Sequence, residues 1–318
     1  MRAVVIHQFG SVTVEEVPTP EPRGDQVLVE VRAAAINPSD VKNVAGTMHG
    51  TTLPRIPGRD FAGVVTRGPA DLVGKDVWGT GGDIGFTRDG THAQYVLLSR
   101  AGVALRPSAI GADAAGSAGV TFVTAWQALV TSAKIASGET ALIIGAAGGV
   151  GSAAVQIAKL HGAHVIGAVR FEKDLAAASE NGADEVLLSA STDFVAQVRK
   201  LTDGRGANVV FDTSGMMFAE AVEAAAMAGR IPVITAPKDG MATFSLRSVY
   251  RKLMLVLGVD SRDLDAVNCA KMLEAMSPAF QSGELRAKAG VARPLSQAVA
   301  AYAEAGRGET RIVLHPFE

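Results

Sequence analysis

The sequence is poor in the residues that stabilise small secreted proteins and that bind clustered metals. It has a single cysteine, Cys269, so no disulfide bond can form within the chain and no site can be built on several thiolates. One cysteine also fits a reducing compartment, and we expect a cytoplasmic protein. Residues 1–7 lack the long apolar stretch of a signal peptide.

An excess of charge of one sign is also missing. The chain has 30 basic and 32 acidic residues and a net charge of −2. We therefore expect no binding to nucleic acid or to an anionic membrane, because both attract strongly basic surfaces. Apolar residues make up 48% of the 318 residues, which is enough for a sizeable core, and the length suggests two domains.

Two uncharged stretches approach the length of a membrane span. Residues 114–133 contain six serine, threonine and glutamine residues, and residues 141–158 are interrupted by four glycines. We interpret both stretches as buried elements of a soluble α/β core rather than as membrane spans.

The pattern of apolar residues changes along the chain. The first third has short valine-rich segments at 2–7, 12–17 and 26–33, followed by a glycine-rich region, which is typical of a compact and mostly antiparallel domain. From about residue 117, predicted strands alternate with predicted helices, among them 149–160, 217–227 and 264–276. This alternation predicts an α/β fold with a doubly wound parallel sheet.

The strongest single motif is a glycine-rich turn between a predicted strand, 140–145, and a predicted helix, 149–160. Its spacing is G-x-x-G-x-x-G, and its glycines allow the backbone to approach a pyrophosphate at the helix N-terminus. A turn that merely packs the helix onto the sheet is the alternative, and a nucleoside-triphosphate loop is excluded because no Gly-Lys-Ser/Thr follows. The predicted cofactor contacts in the turn are Gly145, Ala147, Gly148, Gly149, Val150 and Gly151.

The end of the next predicted strand distinguishes the two nicotinamide cofactors. An acidic residue there favours NAD, whereas a basic residue suits the 2′-phosphate of NADP. The strand ends at Val169-Arg170, and Lys173 follows, so we predict NADP(H). In the alternative, Arg170 and Lys173 are solvated and Glu172 holds NAD.

Several stretches together resemble the zinc-independent quinone oxidoreductases of the medium-chain dehydrogenase/reductase superfamily, the group that includes zeta-crystallin. These stretches are Ala-Ala-Ile-Asn-Pro-Ser-Asp at 34–40, Ile-Pro-Gly-Arg-Asp-Phe-Ala-Gly-Val-Val at 56–65, Thr-Ala-Trp-Gln-Ala-Leu at 124–129, the glycine turn, and Val-Val-Phe-Asp-Thr-Ser-Gly at 209–215. The resemblance implies a GroES-like catalytic domain at 1–117 and 263–318, and a Rossmann domain at 118–262.

Two related enzyme classes do not fit the sequence. Zinc alcohol dehydrogenases of the same superfamily carry a cysteine where Asn37 stands and Gly-His-Glu where Gly58-Arg59-Asp60 stands, and the six histidines show no ligand spacing. Short-chain reductases have their glycine turn near residue 10 and a Tyr-x-x-x-Lys motif, which this chain lacks. We therefore expect an enzyme without a metal.

Without zinc or a tyrosine–lysine base, the substrate has to be electrophilic by itself. We expect NADPH-dependent reduction of a quinone or an α,β-unsaturated carbonyl. A trans-2-enoyl thioester reductase is an alternative. A non-catalytic NADPH-binding protein, such as a redox sensor or a crystallin-like protein, is another.

The resemblance also implies roles for individual residues. Asn37 is expected near the nicotinamide, where its amide donates a hydrogen bond to the developing negative oxygen; alternatively it caps its own turn before Pro38. Thr124 is expected to contact the nicotinamide carboxamide; alternatively it bonds its own helix backbone. Ser214, Gly258 and Val259 complete the predicted cofactor site.

Two further expectations concern pairing. We expect the carboxylate of Asp60 to pair with Arg59 or with an N–H group of a loop.

Residues 253–257 are expected to form an apolar strand at a sheet edge, which favours pairing with another strand. In the family that the chain resembles, such edges join two copies of the chain. We therefore predict a homodimer.

Overall fold

The computed structural model of the chain describes residues 1–308 and 310–318. It divides into two compact units. The first unit contains Met1–Val123 and Ser261–Glu318, and the second contains Thr124–Asp260. The domain limits expected from the sequence, 1–117 with 263–318 and 118–262, remain a prediction.

The strands of the described chain are numbered in sequence order. They are β1 (Arg2–Val5), β2 (Thr13–Glu16), β3 (Gln26–Ile36), β4 (Phe61–Arg67), β5 (Asp76–Gly79), β6 (Tyr95–Ser99), β7 (Ala104–Leu105), β8 (Thr140–Ile144), β9 (His164–Val169), β10 (Glu185–Leu188), β11 (Ala207–Asp212), β12 (Ala225–Val233), β13 (Leu255–Gly258), β14 (Val291–Pro294) and β15 (Ile312–His315).

The α-helices are numbered in the same way. They are α1 (Pro38–Val44), α2 (Ala112–Ala115), α3 (Gly119–Trp126), α4 (Gly149–Leu160), α5 (Leu175–Glu180), α6 (Phe194–Leu201), α7 (Phe218–Ala224), α8 (Leu246–Arg251), α9 (Ala266–Ser282) and α10 (Ala298–Gly306). A π-helical segment, Gln127–Ser132, follows α3 directly.

The second unit contains a six-stranded parallel sheet with the strand order β10-β9-β8-β11-β12-β13. The strand that comes first in the chain, β8, lies in the middle. The chain adds β9 and β10 on one side and then returns to place β11 on the other, so the order reverses between β8 and β11. This arrangement confirms the predicted doubly wound sheet, in which ligands bind outside the carboxyl ends of the strands at such a reversal.

Apolar residues on both faces hold this sheet in the interior. Leu142 and Ile143 are consecutive residues of β8, so their side chains lie on opposite faces of the sheet, and both are fully buried, as is Ile166 of β9. Such continuous apolar runs are typical of parallel strands that are covered on both sides. The small residues Ala153 and Ala154 of α4 are also buried.

The first unit contains a mostly antiparallel sheet with the order β14-β15-β3-β4-β5-β7, and β6 pairs with β3. Only β14 and β15 run parallel to each other, and β1 and β2 form a separate antiparallel pair. The ring of Trp78 on β5 meets that of Phe280 on α9 edge to face, at 5.2 Å between ring centroids. The predicted antiparallel domain is confirmed.

Two predicted helices have different ends in the structure. The helix expected at 217–227 ends at Ala224, because Ala225 is extended and pairs with Ala207 at the start of β12. The helix expected at 264–276 instead runs through Pro278 and ends before Gly283, whose φ is +83°. Its buried side chains, such as Leu273 and Phe280, continue on both sides of the proline.

The two uncharged stretches contain ordinary short elements. Residues 114–133 include α3 and the π-helical segment, and residues 141–158 include most of β8 and α4. Among the described residues, we find no helix that combines the length and the hydropathy needed to cross a bilayer.

Candidate functional site

The glycine turn connects the end of β8 to the start of α4. Gly145 has φ +83°, a conformation that favours glycine, and its N–H donates to the Ala168 carbonyl at 2.8 Å. Gly148 is the N-cap of α4. A Cβ on Gly151 would lie 2.0 Å from the Gly145 carbonyl oxygen, so only glycine allows the first turn of α4 to pack so close to the strand end.

This turn fits the pyrophosphate of a dinucleotide. The N–H groups of Gly149, Val150 and Gly151 in the first turn of α4 have no acceptor within the helix. Gly148 and Gly149 are exposed, and Ala147 is half-buried. The alternative, a turn that only packs α4 onto the sheet, explains why residue 151 is a glycine. It does not explain the exposed Gly148 and Gly149, which precede unpaired N–H groups and suit an anion.

Two positive charges follow the end of β9, the strand next to β8. The guanidinium carbon of Arg170 lies 5.2 Å from the centre of the Phe171 ring, and Nζ of Lys173 lies 5.6 Å from the same centre. All three residues are exposed, as is Glu172 between them. Neither cation forms an ion pair with another described residue, so both are available to an anionic ligand.

The loop after β11 lies beside the glycine turn, across the reversal in strand order. Thr213 donates from its backbone nitrogen and from Oγ1 to the Ile144 carbonyl, at 3.0 and 2.8 Å, which ties the loop to the end of β8. Ser214, a predicted cofactor contact, donates its hydroxyl to Asp212 at 2.6 Å. Asp212 also accepts the Met217 N–H at 2.7 Å, so this carboxylate fixes the loop.

Asn181 also holds the glycine turn, although the sequence did not single it out. Its Nδ2 donates to the Ala146 carbonyl at 3.1 Å, and the side chain is buried. In the sequence, an asparagine before Gly182 is typical of an ordinary helix end. No local pattern indicated that it contacts a turn 35 residues earlier.

The remaining predicted cofactor residues are more widely distributed. Gly258 ends β13, and the Val259 N–H donates to the Val233 carbonyl at 2.9 Å, so both lie at the carboxyl edge of the sheet that carries the glycine turn. Thr124 is a buried residue near the end of α3. Within the described chain its hydroxyl makes no hydrogen bond to its own helix, whereas Thr121 donates to the Ala118 carbonyl at 3.0 Å.

Asn37 belongs to the first unit, between the end of β3 and the start of α1. It is the N-cap of α1, and its backbone N–H donates to Asp40 at 2.8 Å. Its position therefore matches the alternative in which Asn37 caps the turn before Pro38. Its side chain makes a further contact with a distant residue. The side chain is buried, and Nδ2 donates to the carboxylate of Asp60 at 3.0 Å.

Asp40 is a fully buried carboxyl group. Burial raises its pKa from 3.8 to about 7, although the hydrogen bond from the Asn37 N–H opposes the increase. Its Oδ1 has no hydrogen-bond partner within the described chain. Asp40 is therefore partly protonated near neutral pH.

Asp60 is also fully buried, and its partners differ in part from those expected. One oxygen accepts the Val120 N–H at the start of α3 at 2.8 Å, and the other accepts from Asn37. Arg59 instead donates to the carbonyls of Gly81 and Ser261, at 2.9 and 3.0 Å. Burial raises the pKa of Asp60, and the hydrogen bond from Asn37 opposes that shift.

A cavity of about 540 Å³ also opens in the first unit, but none of the predicted site residues lines it. Its walls include Val5, Ile56 and Val96. The guanidinium of Arg55 in this cavity is already paired with Asp89 at 2.7 Å. The cavity is therefore separate from the glycine turn and from the Asn37–Asp60 pair.

Potential metal ligands are scattered. In residues 1–308 and 310–318, no group of three or more histidine, cysteine, aspartate or glutamate side chains is placed to hold a metal ion. His161 and His164 are close in sequence but have different neighbours. Nδ1 of His161 lies 2.9 Å from the Ile157 carbonyl, and Nδ1 of His164 lies 3.5 Å from Asp184.

Comparisons with known families assign both units. Residues 23–108 match the alcohol dehydrogenase GroES-like domain, and residues 149–277 match the zinc-binding dehydrogenase family. A solved structure of an NAD-dependent alcohol dehydrogenase superimposes with a TM-score of 0.88 at 30% identity, covering 99% of both chains.

Curated relatives match most or all of the chain. A zinc-type alcohol dehydrogenase-like protein of Schizosaccharomyces pombe is 35% identical over 280 residues, which cover 86% of this chain and 82% of the relative. A 2-methylene-furan-3-one reductase of Solanum lycopersicum is 31% identical and covers 100% and 79%. Quinone oxidoreductase of Homo sapiens is 27% identical and covers 95% and 93%. These relatives are oxidoreductases whose names specify different substrates.

Proposed function

The chain belongs to the medium-chain dehydrogenase/reductase superfamily and is quinone oxidoreductase-like, and from that premise we propose that it is a zinc-independent reductase that uses NADPH to reduce a quinone or an α,β-unsaturated carbonyl. NADPH supplies a hydride when it is bound. The observation that carries the proposal is the glycine turn followed, at the end of the next strand, by two unpaired cations.

The cofactor assignment rests on charge. We propose that the N–H groups from Gly149 to Gly151 hold the pyrophosphate, and that Arg170 and Lys173 pair with the 2′-phosphate. An exposed arginine presents a planar fork that matches a phosphate in two hydrogen bonds. NAD held by Glu172 is the competing assignment. Thr124, Ser214, Gly258 and Val259 are proposed as the other contacts of the cofactor.

The substrate assignment rests on Asn37. A primary amide nitrogen carries two N–H donors, and Asp60 accepts one of them. We propose that the second donates to the substrate oxygen as it gains negative charge, which favours the reduced product without a Lewis acid. The similarity to a quinone oxidoreductase and to a 2-methylene-furan-3-one reductase supports electrophilic substrates of these two kinds.

The experiment that tests this function is NADPH consumption by protein treated with a chelator. The panel contains ortho- and para-quinones, short enones and a 2-enoyl thioester, with NADH in parallel. We expect turnover with quinones or enones that the chelator does not reduce. Turnover with the thioester alone would instead indicate an enoyl thioester reductase. Saturable NADPH binding without turnover would favour a sensor or a crystallin-like role.

The proposal also includes the cellular setting and the assembly. The single cysteine favours the reducing cytoplasm. Strand β13 pairs with β12 on one side, and within the described chain no strand pairs with its other side, so it is an edge strand of its sheet. We propose that two copies of the chain join at this edge as a homodimer.

A further inference from the structure

We infer that Asp60 is a positioning residue for the reaction: it holds the Asn37 amide with the nitrogen towards the carboxylate, so that one N–H remains for a substrate carbonyl oxygen. The substrate's part in this inference rests on the proposed function. The arrangement of the two side chains stands independently of it.

The position of the Asp60 carboxylate is fixed from two directions. Its Oδ1 accepts the Val120 N–H at 2.8 Å, and the residue is fully buried. A Cβ on the neighbouring Gly119 would lie 2.5 Å from the same oxygen, so the carboxylate fills space that only glycine leaves free. Oδ2 is thereby left to face Asn37, at 3.0 Å from Nδ2.

Burial raises the pKa of Asp60, but both of its oxygens accept N–H groups, from Val120 and from Asn37, and these hydrogen bonds favour the ionised form. An ionised carboxylate only accepts hydrogen bonds, and this property selects one of the two orientations of an amide. With the nitrogen towards Asp60, the pair is satisfied. With the oxygen towards Asp60, two acceptors would face each other in a buried site. The Asn37 backbone is held as well, because its N–H donates to Asp40 at 2.8 Å. Asp60 therefore leaves the amide little freedom to turn.

The orientation determines what Asn37 recognises. Within the described chain the second N–H of Nδ2 has no other acceptor, so the side chain offers a donor. A donor recognises a carbonyl oxygen and stabilises it as negative charge develops. In the capping box of α1 the Asn37 side chain also accepts the Asp40 N–H, which favours the same orientation. If Asp60 lost its charge, the amide nitrogen would lose the acceptor that holds it, and the donor would be presented for a smaller part of the time.

A double-mutant cycle tests the coupling in the full-length protein with NADPH and its best substrate from the panel. Asp60→Asn keeps the shape but removes the charge, and we expect kcat to fall roughly 10- to 100-fold. The Kd for NADPH, followed by fluorescence, should change less than about twofold. Asn37→Ala should cause little further loss in the Asp60→Asn background, because both changes remove the same donor. Multiplying losses would overturn the inference.

The matched control is Asp184→Asn. Asp184 also accepts one backbone N–H, from Val165 at 2.7 Å, and one side-chain donor, Lys159. It lies in the second unit and has no contact with Asn37. We expect this variant to retain the kcat of the unmodified protein. A comparable fall in both variants would show a general loss of stability rather than positioning.

A second measurement does not depend on turnover. The chain has only five asparagines, so selective ¹⁵N labelling gives five side-chain amide signals, and Asn37→Ala assigns one of them. In the unmodified protein, one Nδ2 proton of Asn37 should exchange with solvent at least roughly tenfold more slowly than the other, because Asp60 binds it. Equal exchange rates would overturn the inference even if Asp60→Asn fails to fold.

The two measurements distinguish the two proposals. If no substrate in the panel is reduced, the proposed function fails, and the amide signals still decide whether Asp60 orients Asn37. If substrates are reduced but the Asn37 signals are the same in Asp60→Asn as in the unmodified protein, the function holds and the positioning role is wrong.

Discussion

Arg170 is the residue whose charge separates the two nicotinamide cofactors. It is exposed and unpaired in the described chain, so a 2′-phosphate would be its principal ionic partner. Arg170→Ala should weaken NADPH binding roughly 10- to 100-fold, since a hydrogen bond to a charged group contributes about 1.5–3 kcal/mol. NADH binding should change little. Titration calorimetry with both cofactors measures the difference.

Arg205→Ala is the matched control. Arg205 is an exposed arginine of the same unit, and it pairs with Asp203 at 3.1 Å. Its removal should leave the affinity for both cofactors unchanged. If Arg170→Ala weakened NADH as much as NADPH, the 2′-phosphate assignment would be wrong and Glu172 would become the residue to examine.

The sequence predicted single residues better than it predicted their partners. Asn37 stood out through its motif. Asp40, which accepts the Asn37 N–H, follows only three residues later, so a local sequence pattern can indicate this contact. Asp60 is 23 residues away from Asn37 and became its partner only when β4 paired with β3. Asn181 reaches the glycine turn in the same non-local way. Contacts of this kind depend on tertiary packing, which one sequence does not record.

At the scale of elements, the prediction was most accurate where the local signals agreed. The helix expected at 149–160 has the expected bounds, and the strand after it ends at Val169 as expected, because apolar runs mark both elements. The start of β12 was missed, since the alanines at 225 and 226 favour a helix until pairing with β11 is considered. The short helix α1 was not predicted either.

The edge strand β13 supports the prediction of a dimer. Its Leu255 and Val256 are 56% and 47% exposed, which is unusual for apolar residues in a strand. We expect sedimentation at micromolar concentration to give twice the chain mass of 32.7 kDa. Leu255→Lys should shift the protein to the monomer, because two copies would then place like charges at one interface.

Val73→Lys is the control for that experiment. Val73 is also an exposed apolar residue, at 45%, but it lies in the loop between β4 and β5 of the first unit. This variant should sediment as the unmodified protein does. A monomer in the unmodified protein would remove the dimer from the proposal, and a dimer that survives Leu255→Lys would place the interface elsewhere.

At the scale of the whole molecule, two buried groups in the first unit give stability opposite dependences on pH. Burial lowers the pKa of His92 from 6.5 to about 4, so its contribution is present above pH 6.5 and is lost as the pH falls through 4. The pKa of Asp40 is raised from 3.8 to about 7. Its contribution is present below pH 3.8 and is lost as the pH rises through 7.

The Asp40 contribution can be isolated with Asp40→Asn, which cannot ionise. Between pH 5 and pH 8 the folded protein must release a proton that the unfolded chain has already lost. The unmodified protein should therefore lose about 3 kcal/mol of unfolding free energy relative to the variant over this range, at about 1.4 kcal/mol per pH unit up to pH 7. Urea unfolding at both pH values measures the difference, and because His92 is present in both proteins, its effect cancels.

Asp184→Asn supplies the control with the opposite sign. Burial alone would raise the pKa of Asp184, but hydrogen bonds from Lys159 and the Val165 N–H outweigh it and lower the pKa below its ordinary value. Its stabilising contribution is present above the unfolded pKa and is lost only in strong acid. Asp184→Asn should therefore lose the same stability at pH 5 as at pH 8. If Asp40→Asn behaved in the same way, Asp40 would already be ionised at pH 5, and its unpartnered oxygen would have to be reached by water.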